Sequence, residues 1–149
     1  MNVTPLNLLL ADDDTDDCIF FKEALEELPV VAKLTTVNDG VQLMLHLTEK
    51  TETLPHALYL DLNMPRKNGY DCLTEIKQKP KLKTIPVIIF STSFDSEVVN
   101  LLYERGAHYY IRKPAEFQDL KKIISKSLDL ISKLTDRQPS KEMFVITIT

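Results

Sequence analysis

The sequence has few of the features that mark secreted, membrane-spanning or nucleic-acid-binding proteins. It holds only two cysteines in 149 residues, Cys18 and Cys72, and neither lies in a CxxC or Cys/His pattern. We therefore expect two buried free thiols rather than a disulfide or a zinc site. No apolar run approaches the ~20 residues needed to cross a bilayer, and the N-terminus lacks the basic start and cleavage site of a secretory signal. The net charge of −4 argues against a broad nucleic-acid-binding surface. We expect a cytoplasmic protein with no membrane partner and no direct nucleic-acid partner.

What the sequence does contain is an alternation of short apolar runs and helix-like segments, repeated five times. The apolar runs predict strands at 6–11, 31–37, 57–62, 87–90 and 109–111. Each is followed by apolar residues at helical spacing, which predicts a helix. Strands that alternate with helices indicate a parallel sheet covered on both faces. The predicted fold is therefore α/β, a doubly wound five-stranded parallel sheet with five helices.

The residues that follow the predicted strands are the candidates for function, because a doubly wound sheet binds its ligand at the carboxyl ends of its strands. Asp12 and Asp13 follow the first strand and Asp61 ends the third. Ser91 follows the fourth strand and Lys113 the fifth. Three carboxylates, a hydroxyl and an ammonium are thus predicted to meet at one edge.

This set of groups suits phosphoryl chemistry with a metal ion. Three carboxylates close together repel one another unless a cation enters, and a set of oxygen ligands alone favours a hard cation such as Mg²⁺. A carboxylate can also attack phosphorus and form an acyl phosphate. A nearby ammonium then neutralises charge that develops on the phosphoryl oxygens.

Four motifs in order resemble the receiver domains of two-component response regulators, the family of the chemotaxis protein CheY. They are LLLADDD, LYLDLNMPRKNGYD, PVIIFSTS and GAHYYIRKP. The resemblance covers about residues 6–134 and implies a flavodoxin-like sheet with strand order 2-1-3-4-5. It indicates a receiver domain over residues 1–134 and a linker with a short tail over 135–149.

The resemblance implies roles for the residues at the acidic edge. Asp61 is expected to accept the phosphoryl group from a sensor histidine kinase or a phosphotransfer protein. Asp13 and Asp61 are expected to coordinate Mg²⁺ directly, together with the backbone carbonyl of Asn63, and Asp12 to hold the metal through water. The other acidic residues of this stretch, at positions 14, 16 and 17, are interpreted as a solvated start of the first helix.

The same resemblance implies a switch that joins the site to a binding surface. Lys113 is expected to pair with the phosphoryl oxygens, and the bond to the following Pro114 is expected to be cis. Ser91 is expected to hydrogen-bond the phosphoryl group. Tyr110 is expected to swing inward when Ser91 moves, which changes the surface formed by the fourth helix, fifth strand and fifth helix. That surface would contact a downstream protein.

The last seven residues, MFVITIT, carry no charge and have high β-propensity. Three interpretations are open for the segment Met143 to Thr149: a disordered tail, a strand added to an exposed sheet edge, or a strand paired with another copy. A homodimer is therefore possible, either through this tail or through the switch surface.

The function expected from the sequence is that of a stand-alone response regulator that signals by phosphorylation-dependent protein contact. It would not act on an external metabolite, although it would catalyse its own phosphoryl transfer and dephosphorylation. One alternative is a small Mg²⁺-dependent phosphatase with Asp61 as a transient nucleophile; such enzymes carry a second Asp where this chain has Asn63. Another alternative is a receiver-like interaction module that no longer depends on phosphate.

Overall fold

The structure, a computed structural model, describes residues 5–49, 53–135 and 137–148, in which strands alternate with helices as predicted. The strands are β1 (Leu6–Ala11), β2 (Ala32–Val37), β3 (Ala57–Leu60), β4 (Val87–Ser91) and β5 (Tyr109–Arg112). The helices are α1 (Thr15–Glu26), α2 (Gly40–Glu49), α3 (Gly69–Gln78), α4 (Ser96–Glu104) and α5 (Phe117–Ser132). A short 3-10 helix, Lys141–Met143, follows α5.

The five strands form one parallel sheet with the order β2-β1-β3-β4-β5. This order reverses direction between β1 and β3, which makes that point the switch point of a doubly wound sheet. The predicted fold class and strand order are therefore confirmed. The central strands β3 and β4 are buried at every position, which agrees with their unbroken apolar sequence.

Two hydrophobic layers cover the two faces of the sheet. Because side chains alternate along a strand, Leu9 of β1 packs in the layer that includes residues of α2, α3 and α4. Leu8 packs in the other layer, which includes residues of α1 and α5. In that second layer Phe21 and Tyr59 form an edge-to-face pair with ring centroids 4.8 Å apart. The sheet is thereby held between helices on both faces, and the carboxyl ends of its strands are the expected location of the ligand site.

The C-terminal tail lies along the outer edge of β5. Val145 forms a parallel bridge with Tyr110, whose N–H donates to the carbonyl of Phe144 at 3.0 Å. The N–H of Ile146 donates back to the carbonyl of Tyr110 at 2.9 Å. The tail therefore pairs with the edge of its own chain's sheet, as in the second of the three interpretations; Thr149 lies outside the described residues.

Two further expectations concern the thiols and the membrane. Cys18 and Cys72 are both free and buried, as predicted. Among the described residues, no helix combines the length and apolar character that spanning a membrane requires.

Candidate functional site

The ends of β1 and β3 bring the predicted acidic residues together at the switch point. The N–H of Asp61 donates to the carbonyl of Ala11 at 2.9 Å, so the carboxyl ends of β1 and β3 lie side by side in the sheet. The loop after β3 then folds back tightly, and Gly69 opens α3 against it. A Cβ at Gly69 would lie 2.2 Å from the carbonyl oxygen of Asp61. Only glycine fits at this position without a shift of the loop.

The three carboxylates of Asp12, Asp13 and Asp61 form one cluster. Each offers an oxygen, and these oxygens lie within 4.8 Å of one another. Asp12 and Asp61 are buried, whereas Asp13 is exposed. Burial raises the pKa of Asp61 to about 7; the charge of Lys113 opposes this rise and the charge of Asp12 adds to it. Burial also raises the pKa of Asp12. The cluster therefore favours a cation that would compensate its charge.

Lys113 reaches this cluster from the loop after β5. Its Nζ lies 2.8 Å from Asp12 Oδ2 and 3.8 Å from Asp61 Oδ2. It also donates to Asp17 Oδ2 at 2.8 Å. Burial alone would lower the pKa of Lys113, but the hydrogen bonds to Asp12 and Asp17 outweigh it and raise the pKa. The side chain is thus a largely buried, protonated ammonium within reach of an anion on Asp61.

A hard metal ion fits the residues at this edge. Asp12 Oδ2 is a buried oxygen whose partner among the described residues is the ammonium of Lys113, and it shares that ammonium with Asp17. Such an oxygen is costly to bury unless a further partner supplies positive charge. The oxygen-only set with one exposed member, Asp13, suits Mg²⁺, which keeps several waters and uses few carboxylates. Asn63 is exposed in the loop beyond Asp61, and metal coordination by its carbonyl stays a prediction.

Ser91 and Tyr110 lie on the neighbouring strands β4 and β5. Leu60 of β3 pairs with Ile89 of β4, so Ser91 lies near the level of the acidic cluster. Ser91 is fully buried, and its Oγ accepts from the N–H of Ser93 at 3.2 Å. Tyr110 is also fully buried, and its hydroxyl donates to the carbonyl of Ser93. Burial raises the pKa of Tyr110 to about 12, and the adjacent Ser91 hydroxyl opposes this rise. Tyr110 thus already occupies an inward orientation.

The structure corrects two details of the sequence interpretation. Asp17 is not merely a solvated residue of the first helical turn, because it binds Lys113. No local signal could have found it, because its partner lies 96 positions further along the chain. The expected cis bond before Pro114 was wrong, since no cis peptide bond occurs among the described residues. The trans form is the ordinary preference of an X–Pro bond.

A doubly wound sheet with an acidic cluster at its switch point and a largely buried lysine beside it is the arrangement expected of a receiver domain. Comparison with known proteins supports this assignment. The sequence model of the response regulator receiver domain family matches residues 8–125 of this chain. The chain therefore belongs to the response regulator receiver family and acts in two-component signal transduction.

Several characterised relatives resemble the chain over most of its length. Response regulator Rcp1 from Synechocystis sp. is 34% identical over 124 residues, which cover 80% of this chain and 84% of the relative. Among solved structures, the phosphorylated cyanobacterial phytochrome response regulator RcpA has a TM-score of 0.80 and 31% identity, covering 92% of this chain and 100% of that one. The Mn²⁺-bound form of Rcp1 has a TM-score of 0.77 and 31% identity, covering 91% and 100%. Receiver domains of this family hold divalent cations at an acidic pocket, and a buried aspartate cluster is present here.

Proposed function

We propose that Asp61 is the residue that accepts the phosphoryl group. The single observation that carries this proposal is the position of its carboxylate, which lies at once in the aspartate cluster and 3.8 Å from Lys113. In the transfer, an oxygen of Asp61 forms a bond to phosphorus while the bond from phosphorus to the donor's imidazole nitrogen breaks. The electron pair of the broken bond stays on the imidazole. Neither alternative function accounts equally well for an intact cluster that is followed by Asn63.

The neighbouring residues would hold the reactants in place. Asp13 and Asp61, with the carbonyl of Asn63, would coordinate Mg²⁺ directly, and Asp12 would hold it through water. When bound, the metal would neutralise charge on the phosphoryl oxygens. Lys113 would pair with a phosphoryl oxygen, since its ammonium is already buried beside Asp61.

Phosphorylation would then change the surface of the domain. A phosphoryl group takes Asp61 from one negative charge to about two and adds strong acceptor oxygens. Ser91 and Lys113 gain a partner that only the phosphorylated state offers, and such a differential contact shifts a two-state equilibrium. Tyr110 lies next to Ser91 and would pass this change to the surface of α4, β5 and α5.

The surface of α4, β5 and α5 is proposed as the contact for a downstream protein or a second copy of this chain. Exposed apolar side chains on or beside this surface include Phe94, Leu101 and Met143. Apolar residues of this kind commonly form the centre of protein interfaces. Size-exclusion chromatography with light scattering, before and after phosphorylation, would separate the two cases.

The upstream donor is proposed to be a histidine kinase, directly or through a phosphotransfer protein, and specifically one with a phytochrome sensor. The support for the sensor type is the likeness to RcpA, which is described as a phytochrome response regulator. Phosphotransfer from an autophosphorylated phytochrome kinase tests this proposal against a kinase without a photosensor. Equal or faster transfer from the second kinase would contradict it.

The acceptor assignment is tested by intact-mass spectrometry after incubation with acetyl phosphate, with and without Mg²⁺. The wild-type chain should gain a single phosphoryl group that depends on Mg²⁺, and Asp61→Asn should gain none. Asp71→Asn is the matched control, because Asp71 is an exposed carboxylate in the first turn of α3. Equal labelling of Asp61→Asn and wild type would contradict the assignment.

A further inference from the structure

The C-terminal segment, defined as residues 138–147, is attached to all three elements of the switch surface. On α4, the hydroxyl of Tyr103 donates to the carbonyl of Pro139 at 2.9 Å, and Gln138 Nε2 donates to the Tyr103 carbonyl at 2.7 Å. On α5, Lys126 Nζ donates to the carbonyl of Thr147 at 2.6 Å. On β5, the segment pairs with the backbone of Tyr110. Side-chain hydrogen bonds therefore hold the segment in addition to its backbone pairing with β5.

The segment buries one large side chain on each side of the β5 edge. Phe144 is 1% exposed and packs in the layer with α4, whereas Ile146 is 3% exposed and packs in the layer with α1 and α5. Burial of two such apolar side chains stabilises the docked segment relative to one that is exposed to solvent. Docking of this segment is thus part of the native packing and not a loose surface contact.

Phe144 contacts the residue that is expected to move in the switch. Its ring centroid lies 6.2 Å from that of Tyr110 and 5.1 Å from that of Tyr103, both with steep interplanar angles. Phe144 thereby fills the space between α4 and the edge of β5. A Tyr110 side chain that turned outward would have to displace the Phe144 ring, while the backbone of Tyr110 is bonded to the same segment.

We propose that Phe144 is a positioning residue of the switch: the docked C-terminal segment holds Tyr110 in its buried orientation, and its docking is linked to phosphorylation of Asp61. This inference rests on the proposed function of Asp61. Phosphorylation would draw Ser91 toward the phosphoryl group and favour the buried Tyr110. Because coupling between two sites is reciprocal, a segment that favours the buried Tyr110 also favours phosphorylation.

The first test compares rates of phosphorylation by acetyl phosphate and Mg²⁺, followed by intact mass. Phe144→Ala should be phosphorylated about fivefold more slowly than wild type, because the state with a buried Tyr110, from which the chain reacts, should be populated about fivefold less. Phe144→Leu, which keeps an apolar side chain, should recover most of the rate. Glu142→Ala is the matched control, because Glu142 lies two residues before Phe144 in the same segment and is exposed. A folded Phe144→Ala that is phosphorylated at the wild-type rate would overturn the proposal.

The second test needs no variant and so does not depend on the folding of Phe144→Ala. Hydrogen exchange of the Tyr110 and Ile146 amides, measured by NMR, should become about fivefold slower in the phosphorylated wild-type chain. The reason is that phosphorylation should favour the docked segment by about that factor, at the lower end of typical coupling between sites. Unchanged exchange in a chain that carries the phosphoryl group overturns this inference alone. Exchange that depends on protein concentration would indicate pairing with a second copy and overturns the intramolecular assignment. A wild-type chain that takes no phosphoryl group overturns the proposed function itself.

Discussion

The carboxylate of Asp17, in the first turn of α1, lies 2.8 Å from the ammonium of Lys113, which follows β5. The same ammonium lies 2.8 Å from Asp12, so Lys113 is shared between two carboxylates before any phosphoryl group arrives. A phosphoryl group on Asp61 would have to compete for Lys113 with these two partners. Of these two partners only Asp17 lies outside the aspartate cluster. Replacing Asp17 therefore tests the competition for Lys113 without changing a residue of the cluster.

Asp17→Asn should therefore speed phosphorylation by acetyl phosphate. The Asp17 side chain is 33% exposed, and so the pair is worth about 0.5–1 kcal/mol after screening, or a rate increase of roughly twofold to fivefold. The measurement is the initial rate of adduct formation by intact mass. Asp16→Asn is the control, since Asp16 is exposed in the same helical turn. A rate for Asp17→Asn at or below that of the control would show that Lys113 is not held back by Asp17.

Mg²⁺ should raise the melting temperature of the wild-type chain. The buried carboxylates repel one another without a cation, and a ligand that binds only the native state adds about 2.7 kcal/mol at 100 times its dissociation constant. In Asp13→Asn, which removes an exposed member of the cluster, the shift should be much smaller. Asp119→Asn, at a partly exposed site in the first turn of α5 and outside the cluster, should behave as wild type. Equal shifts in all three chains would indicate that Mg²⁺ does not bind at the cluster.

Removal of the Ser127 hydroxyl should destabilise the fold more than removal of the Tyr59 hydroxyl. The two oxygens lie 2.6 Å apart in the core, and Ser127 also donates to the carbonyl of Ile124. Since Ser127 has only one proton, the buried Tyr59 hydroxyl must be the donor between them. Ser127→Ala leaves that donor unpaired, which costs about 1–3 kcal/mol.

A double-mutant cycle in urea provides the measurement. Tyr59→Phe removes the donor and leaves Ser127 bonded to Ile124, so its cost should be below about 1.5 kcal/mol. Tyr59→Phe combined with Ser127→Ala should be more stable than Ser127→Ala alone, because no unpaired donor remains. Additive losses in the double variant would contradict this account of the pair.

The contribution of His108 to stability should fall as the pH decreases from about 6.5 to about 4, whereas the raised pKa of Asp61 acts in the opposite direction over this range. Burial, assisted by the charge of Lys77, lowers the pKa of His108 from 6.5 to about 4. Between these values His108 binds more protons in the unfolded chain than in the native chain, so the stabilisation that is complete above pH 6.5 is lost as the pH falls. The contribution of His108 is about 3 kcal/mol at most.

His108→Asn removes this contribution while it retains the structural hydrogen bond. His108 Nδ1 accepts from the N–H of Val87 at 3.1 Å, and an Asn oxygen can take that place. In urea unfolding at several pH values, the free energy of unfolding of the wild type relative to His108→Asn should decrease as the pH falls from about 6.5 to about 4. His56→Asn serves as the control, because His56 is exposed and accepts a similar backbone bond from Asn7. If both variants follow the wild-type curve, another group is responsible for the acid sensitivity.

Most of the fold and much of the site could be predicted because the responsible signals are local. The apolar runs of β3 and β4 show that both faces are covered, and the residues directly after each strand must meet at one edge of a parallel sheet. Asp12, Asp13, Asp61 and Lys113 were therefore predicted to lie together, and they do. The strand order followed from the resemblance of four ordered motifs to receiver domains.

Asp17 was misinterpreted because its role depends on a partner 96 positions away. An acidic residue in the first turn of a helix has a local explanation in the helix dipole, and nothing in the neighbouring sequence contradicts it. Only the packing of α1 against the sheet brings Asp17 to Lys113. The same limitation applies to Ser127, which is an unremarkable helical serine until Tyr59 is placed opposite to it.

The sequence by itself determined the alternation of strands and helices, the edge at which the functional groups meet and the family to which the chain belongs. Hydrophobic periodicity and strand-end residues carry this information within a few positions of each other. Only the tertiary structure decided how Lys113 is shared among carboxylates and where the C-terminal segment lies. An uncharged segment of high β-propensity suits any free strand edge, and its choice of β5 depends on the space that Phe144 fills between Tyr103 and Tyr110.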